Sequence, residues 1–89
     1  MMKHTLLILF LFLSLINKIY QDRNGMIWIA TEDGLNRYDG AKFITYKHDP
    51  ENEYSLCHNY VRVLYEDSKG RLFVGTYNGI QLYDPETDS

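Results

Sequence analysis

Residues 19–40 of this 89-residue chain read IYQDRNGMIWIATEDGLNRYDG, and residues 64–85 read LYEDSKGRLFVGTYNGIQLYDP. The two stretches align without a gap at an offset of 45 residues and share seven identical positions, which include two turn glycines and a turn aspartate. Self-similarity at a fixed period of this size is the signature of a repeat architecture. The chain is therefore predicted to contain two copies of one supersecondary unit.

The residue types of each copy predict short strands joined by tight turns. Aspartate opens and glycine closes the turns at 22–25 and 67–70, because aspartate can accept hydrogen bonds from nearby backbone amides and glycine tolerates positive φ. Asp33-Gly34 and Asn78-Gly79 are favoured hairpin turns. Between the turns, runs of β-branched and aromatic residues predict strands. The predicted strands are 26–30, 35–38, 43–46, 71–75 and 80–83, and residues 60–66 open the second unit. No helical period follows residue 18, so the body is predicted to be all-β.

Four short antiparallel strands within 45 residues match the size of one β-propeller blade. The same strands are compatible with a β-sandwich or a short meander. The predicted fold is a set of antiparallel four-stranded propeller blades, about one and a half of them, in an incomplete ring. The first blade is expected at 18–46, a connecting loop at 47–59 and a second, partial blade at 60–85.

The N-terminal residues form a separate segment. Residues 6–16 read LLILFLFLSLI and follow a start that contains Lys3 and His4. This run is shorter than the roughly 20 apolar residues that span a bilayer, and a basic start with a short apolar run is the layout of a secretory signal, although no A-x-A site follows. Residues 1–17 are predicted to be a signal peptide or hydrophobic anchor, and residues 18–89 the partial propeller. A buried core segment is the alternative.

Composition excludes several classes of protein. The chain has a net charge of −3, 45% hydrophobic and 15% aromatic residues, and one cysteine. The aromatic content rules out a disordered acidic tail, and a single cysteine cannot form an internal disulfide. There is no cluster of Lys and Arg able to neutralise nucleic-acid phosphates. No nucleic-acid partner is expected, and contact with a membrane is expected only through the N-terminal segment.

The repeated motif closely resembles the two component regulator propeller repeat, in which a D-x-x-G turn precedes an [IL]-W-[IV]-[GA]-T strand, a second glycine turn and an aromatic-Asp ending. The first copy fills these positions with Asp22, Gly25, Ile27, Trp28, Ile29, Ala30, Thr31, Gly34, Tyr38 and Asp39. The second copy has Asp67, Gly70, Phe73, Thr76, Gly79, Tyr83 and Asp84, with Phe73 where tryptophan is usual. Ser55, Leu56 and Asn59 match the lead-in to a blade.

The resemblance implies a function in sensing. Such repeats form the periplasmic sensor propellers of hybrid histidine kinases in Bacteroides-type bacteria, which respond to an oligosaccharide or another external cue. This chain has no kinase sequence, so it is expected to be a non-enzymatic, periplasmic or secreted fragment of such a sensor, from a truncated gene or a partial sequence. It stays attached to the membrane if the signal is not cleaved.

The alternative function is a structural or self-assembling module. Its partners are further blades of a longer chain or another copy. Because about three or more repeats are normally needed for stability, residues 18–89 alone are expected to be marginally folded or self-associating.

The candidate sites are few. No catalytic, cofactor-binding or metal-binding residue is predicted: Cys57 and His58 are adjacent, His48 lies apart from them, and a single cysteine cannot make a cysteine-rich metal site. The repeat-motif residues are predicted to be structural, with Trp28 and Phe73 filling the space between blades. A ligand face is predicted in residues 48–59 of the polar connecting loop, because propeller loops gather at the ends of the channel. Its candidate residues are Tyr54, His58 and Asn59.

Overall fold

The computed structural model of the protein describes residues 15–89, which form seven β-strands and no helix. The strands are β1 (Ile16–Gln21), β2 (Ile27–Thr31), β3 (Gly34–Tyr38), β4 (Phe43–Tyr46), β5 (Val61–Glu66), β6 (Leu72–Thr76) and β7 (Gly79–Leu82). They make two antiparallel sheets, with the order β1-β2-β3-β4 in sheet 1 and β5-β6-β7 in sheet 2. The predicted all-β fold with antiparallel strands is confirmed. The predicted signal segment falls mostly on residues 1–14, which lie outside the described residues, while Ile16 and Asn17 belong to β1.

The aspartate turns have the same geometry in both copies. Asp22 Oδ1 accepts hydrogen bonds from the backbone N–H groups of Asn24 (2.9 Å) and Met26 (3.0 Å). Asp67 Oδ1 accepts the corresponding bonds from Lys69 and Arg71, both at 2.9 Å. Each carboxylate thus satisfies two amides that the turn would leave without partners.

The threonines at the ends of β2 and β6 close the next hairpins. Thr31 Oγ1 donates to the carbonyl of Gly34 at 2.8 Å and accepts from the backbone N–H of Asp33 at 3.0 Å. Thr76 repeats both contacts, with Gly79 and Asn78, at 3.1 Å. Both threonines are buried, and each hydroxyl donates one bond and accepts one bond within its hairpin turn.

The core lies between the two sheets. Side chains alternate along each strand, so each sheet has two faces. We call the face that carries Trp28 and Ala30 in sheet 1, together with the equivalent face of sheet 2, the first face. The second face is the opposite one, which carries Leu72 and Val74 in sheet 2. The first face of sheet 1 packs against the second face of sheet 2. The cluster of buried residues is Trp28, Ala30, Leu35, Leu56, Val61, Leu64, Leu72 and Val74.

Trp28 is the largest side chain of this core and is 1% exposed. Its ring lies 4.8 Å from that of Tyr83 in an edge-on arrangement and 5.9 Å from that of Tyr46. Its indole N–H donates to Asp22 Oδ2 at 2.8 Å, which satisfies the polar atom of the buried ring. Trp28 therefore fills the space between the two sheets.

Phe73 has a different environment from its counterpart Trp28. It lies on the first face of sheet 2, which points away from sheet 1, and is only partly buried. Since phenylalanine has no N–H to donate, Asp67 Oδ2 instead accepts from the Arg71 guanidinium at 2.6 Å. Within the described residues Phe73 thus packs on the outside of the pair of sheets.

Polar contacts also join the two sheets. The Tyr20 hydroxyl donates to Glu66 Oε1 at 2.8 Å, and Asn17 Nδ2 donates to the carbonyl of Val61 at 2.8 Å. The backbone N–H of Gly34 donates to the carbonyl of Asn59 at 2.6 Å. These bonds fix the position of one sheet relative to the other and tie the loop 47–59 to sheet 1.

Candidate ligand site between the two sheets

A cavity of about 300 Å³ lies where the loop 47–59 crosses between β4 and β7. Loop residues, the ends of both sheets and the C-terminal residues line it. Its lining residues are Leu35, Thr45, Tyr46, Lys47, Asp49, Asn52, Tyr54, Ser55, Leu56, Val74, Gln81, Leu82, Tyr83, Asp88 and Ser89. The cavity therefore combines an apolar floor with several hydrogen-bonding side chains, as small-molecule sites usually do.

The loop over the cavity is held by its own side chains. Asp49 N–H donates to Ser55 Oγ at 2.8 Å, and Tyr54 N–H donates to Asn52 Oδ1 at 3.0 Å. Leu56 anchors the loop in the core, since it is only 7% exposed. The polar, Pro-containing loop 47–59 thus consists of local turns, and Leu56 fixes it to the core.

Gln81 joins the loop to β7. Its side-chain N–H donates to the carbonyl of Ser55 at 2.8 Å, and its Oε1 accepts from the backbone N–H of Cys57 at 3.0 Å. Both ends of the amide are used on loop backbone, so Gln81 positions the loop at the wall of the cavity.

The three predicted ligand-face residues are not brought together. Tyr54 lines the cavity, and 70% of it is exposed. Asn59 Oδ1 accepts from the backbone N–H of His48 at 2.7 Å and so holds the base of the loop. His58 Nδ1 accepts from the backbone N–H of Tyr60 at 2.9 Å, and neither His58 nor Asn59 lines the cavity.

One end of the cavity carries a polar cluster of Arg37, Tyr46, Tyr83 and Asp88. Asp88 Oδ1 accepts from the hydroxyls of Tyr83 (2.5 Å) and Tyr46, and lies 3.3 Å from Arg37 Nη1. Arg37 Nη1 also donates to the Tyr83 hydroxyl at 2.8 Å. The cluster joins β3 and β4 of sheet 1 to the chain that follows β7, so it closes the gap between the sheets.

The environment of this cluster changes the acidity of its groups. Burial, followed by the hydrogen bond to Asp88, raises the pKa of Tyr46, and the same two causes raise the pKa of Tyr83. Burial disfavours the charged form of Asp88, but the two phenol hydrogen bonds and the nearby Arg37 outweigh it and lower the pKa of that carboxyl. At neutral pH the cluster therefore consists of two neutral phenols, one carboxylate and one guanidinium.

Sequence reasoning missed this cluster. Tyr83 was predicted only as a motif residue at a strand end, and Arg37, Tyr46 and Asp88 were not singled out. Arg37 and Tyr46 lie in sheet 1, whereas Tyr83 and Asp88 follow sheet 2, and the two pairs meet only because the two sheets stack. Comparison of the two copies does not point to the cluster either, because the position of Arg37 in the first copy is occupied by Leu82 in the second.

Two further observations concern metal ions and membranes. Among residues 15–89, no group of three or more His, Cys, Asp or Glu side chains is arranged to hold a metal ion. Cys57 is a free cysteine, and its Sγ lies 3.2 Å from Thr76 Oγ1. In the same stretch there is no helix with the length and apolar character needed to cross a bilayer.

We expect the protein to lose stability in acid because of its turn and cluster carboxylates. Backbone N–H bonds lower the pKa values of Asp39 and Asp67, and the pKa of Asp88 is lowered as described above. A carboxyl whose pKa is lower when folded stabilises the protein above its unfolded pKa, and that contribution is lost as the pH falls through the folded pKa. The melting temperature should therefore decrease below about pH 4. Thermal unfolding followed by circular dichroism tests this, and a flat profile would contradict it.

The repeated sheets, stacked first face to second face, define this chain as two neighbouring units of a β-propeller. The family described as two component regulator propeller matches residues 11–33 and 55–78, which together make up about half of the chain. The chain belongs to this two component regulator propeller family, which confirms the resemblance found in the sequence. The first match begins inside residues 1–17, and the signal-peptide assignment of that segment stays a prediction.

Two similar solved structures come from B. thetaiotaomicron. The extracellular domain of the hybrid two component system BT3049 from B. thetaiotaomicron is 34% identical, with a TM-score of 0.73 over 85% of this chain and 11% of that chain. The extracellular domain of BT4673 from the same organism is 30% identical, with a TM-score of 0.70 over 75% of this chain and 9% of that one. The predicted propeller fold is thereby confirmed.

A curated relative is similar to a shorter part of the chain. Histidine kinase P4 of Formosa agariphila is 45% identical over 38 residues, which is 43% of this chain and 3% of that protein. This chain thus spans a small part of the length of each of these three proteins. Its described residues form repeats of a propeller sensor domain rather than a catalytic domain.

Proposed function

We propose that this chain acts in ligand sensing on the extracellular or periplasmic side of a two component regulatory system, and that the cavity between its two sheets binds the ligand. The location is supported by the similar solved structures, which are extracellular domains. The observation that carries the ligand proposal is the 300 Å³ cavity with its mixed lining.

The lining of the cavity suits a small carbohydrate. A sugar ring offers an apolar face and many hydroxyl groups that both donate and accept hydrogen bonds. Tyr54 offers a largely exposed aromatic ring for the apolar face, while Asp49 and Asn52 offer polar side chains to the hydroxyls. Lys47 is half-exposed and pairs with Asp33 at 2.9 Å, so little unpaired positive charge is available for a strongly anionic ligand. A neutral oligosaccharide is therefore the proposed ligand class.

Ligand binding would also affect how firmly the two sheets are held together. The cavity is bounded by Tyr46 of sheet 1 and Tyr83 after sheet 2, which share Asp88. A ligand that touches both walls stabilises the stacked arrangement by preferential binding to it. Ligand occupancy would thus be converted into a stiffer connection between neighbouring blades, and this connection is the proposed first step of signalling.

We expect Tyr54→Ala to weaken binding of a neutral oligosaccharide about fivefold, because loss of one aromatic contact removes an interaction of about 1 kcal/mol. The fold should not change, since the Tyr54 ring is exposed. The measurement is an NMR titration of the full chain with a panel of neutral di- and trisaccharides. Tyr77→Ala is the matched control, because Tyr77 is 59% exposed and does not line the cavity. Equal affinities for the two variants, or no binding by the unmodified chain, would refute the proposed site.

A further inference from the structure

Two pairs of tyrosine rings are in contact among residues 15–89, and they differ in geometry. The rings of Tyr60 and Tyr77 are stacked, with 4.1 Å between their centroids and 5° between their planes. The rings of Tyr46 and Tyr83 lie edge to face, with 5.9 Å between their centroids and 75° between their planes. Only the first pair therefore presents the carbon atoms of one ring directly to those of the other.

The stacked pair lies at one end of sheet 2, where two paired strands end. Tyr60 directly precedes β5, and Tyr77 directly follows β6. The backbone N–H of Tyr77 donates to the carbonyl of Tyr60 at 3.3 Å, which holds the two residues side by side. Both residues belong to one unit and lie beyond the strand ends, so their contact does not depend on how the two sheets stack.

Neighbouring side chains hold the two rings in place. The Arg62 guanidinium carbon lies 5.2 Å from the centre of the Tyr77 ring, and the His58 ring lies 6.0 Å from it. His58 Nδ1 accepts from the backbone N–H of Tyr60 at 2.9 Å. The Tyr77 ring is thus restrained by its neighbours, while 59% of the residue is exposed to reagents in solution.

The hydroxyl groups of the stacked pair also meet. Interaction of the Tyr60 hydroxyl with that of Tyr77, and then with the Glu32 carboxylate, raises the pKa of Tyr60 to about 12. Because the hydroxyls meet, the two rings point in the same direction. The Cε atoms of one ring, which are ortho to its hydroxyl, therefore lie opposite the Cε atoms of the other ring.

Stacked phenols with this alignment are suited to oxidative coupling. Loss of one electron and one proton from each phenol gives two phenoxyl radicals, whose unpaired electrons are shared by the ortho carbons. The Glu32 carboxylate lies where it can accept the proton of Tyr60. A bond then forms between one Cε atom of each ring, and the hydrogens of those two carbons move to the oxygens, which restores both phenols. The two electrons and two protons lost overall reduce one molecule of hydrogen peroxide to two of water.

We propose that Tyr60 and Tyr77 are a site of oxidative modification, at which a peroxidase-type oxidant with hydrogen peroxide joins the two side chains as dityrosine. The cross-link ties the β6–β7 turn to the start of β5, at the end of the loop 47–59. Stacking favours this reaction over coupling between chains, because the reacting atoms are already adjacent. Tyr46 and Tyr83 do not couple, because their rings lie edge to face and both hydroxyls donate to Asp88.

The test is treatment of the dilute full chain with a haem peroxidase and hydrogen peroxide, followed by reduction of any disulfide and mass spectrometry of the monomer. The unmodified chain should yield a monomer that has lost two hydrogen atoms and shows dityrosine fluorescence. After trypsin digestion, residues 48–62 should be joined to residues 72–89. Oxidation of Cys57 or of a methionine adds oxygen instead and is distinguished by its mass.

Tyr60→Phe should lower the yield of this product at least about tenfold, because phenylalanine forms no phenoxyl radical and the prearranged partner is lost. Tyr77→Phe should do the same, and its exposed position makes an effect on folding negligible. Tyr54→Phe is the matched control, since Tyr54 lies on the same tryptic peptide as Tyr60, is 70% exposed and should leave the yield unchanged. Absence of the product from the unmodified chain, an undiminished yield in Tyr77→Phe, or an equal loss in Tyr54→Phe would overturn the proposal.

Discussion

Trp28→Ala is expected to cost about 3–5 kcal/mol of unfolding free energy, the usual range for removal of a large buried aromatic side chain. Trp28 is 1% exposed and packs between the two sheets, so its removal leaves a large cavity in the core. The substitution also removes the indole donor that Asp22 Oδ2 uses. Because small domains are stable by only about 5–15 kcal/mol, this substitution should remove a large part of the unfolding free energy.

Phe73→Ala is the matched control for this prediction, since Phe73 holds the same position in the second copy. It is only partly buried and is not in the core cluster, so its substitution should cost well under half as much. Urea unfolding of the full chain followed by far-ultraviolet circular dichroism measures both variants. Equal losses at the two positions would show that the stacking of the sheets contributes little to stability.

Gly34→Ala is the second substitution with a large expected effect. Gly34 has φ of +118°, which residues other than glycine rarely adopt, and an added Cβ would lie 2.9 Å from the carbonyl oxygen of Tyr46. The backbone conformation alone costs about 1–3 kcal/mol. The contact with Tyr46 adds to this, because a carbonyl in the paired strand β4 cannot turn away without breaking the sheet.

Gly79→Ala separates the two contributions. Gly79 is the counterpart of Gly34, has a similar φ of +112° and has no atom within 4 Å of an added Cβ. Its substitution should therefore show the conformational cost alone, and the difference between the two variants gives the cost of the steric contact. Thermal melting of both variants measures this difference. If Gly79→Ala were as destabilising as Gly34→Ala, the approach of β4 to Gly34 would not matter.

Local features of the fold could be predicted from the sequence because neighbouring residues encode them. Asp22 and Asp67 make their hydrogen bonds within four residues along the chain. Thr31 and Thr76 make theirs within three. Hydrogen bonds between residues this close in sequence depend on residue type and spacing. Both the turns and the strands between them were therefore predicted at nearly their observed positions.

The cavity and its cluster could not be predicted in this way because they depend on the stacking of the sheets. Arg37 and Tyr83 are 46 residues apart and lie in different units. Tyr54 was predicted from loop length and polarity, and it lines the cavity. His58 and Asn59 share those properties but serve the loop itself, since sequence polarity does not distinguish a side chain that holds a loop from one that faces a ligand.

The single tryptophan of the chain has one more consequence. Trp28 is enclosed by both sheets, with the Tyr46 and Tyr83 rings within 6 Å as energy donors. Its fluorescence should be blue-shifted while the sheets are stacked, and should move to longer wavelength as soon as they separate, even if each sheet keeps its own strands paired. The protein thus contains an intrinsic optical reporter of blade docking, which distinguishes opening of the interface from loss of β-structure without any added label.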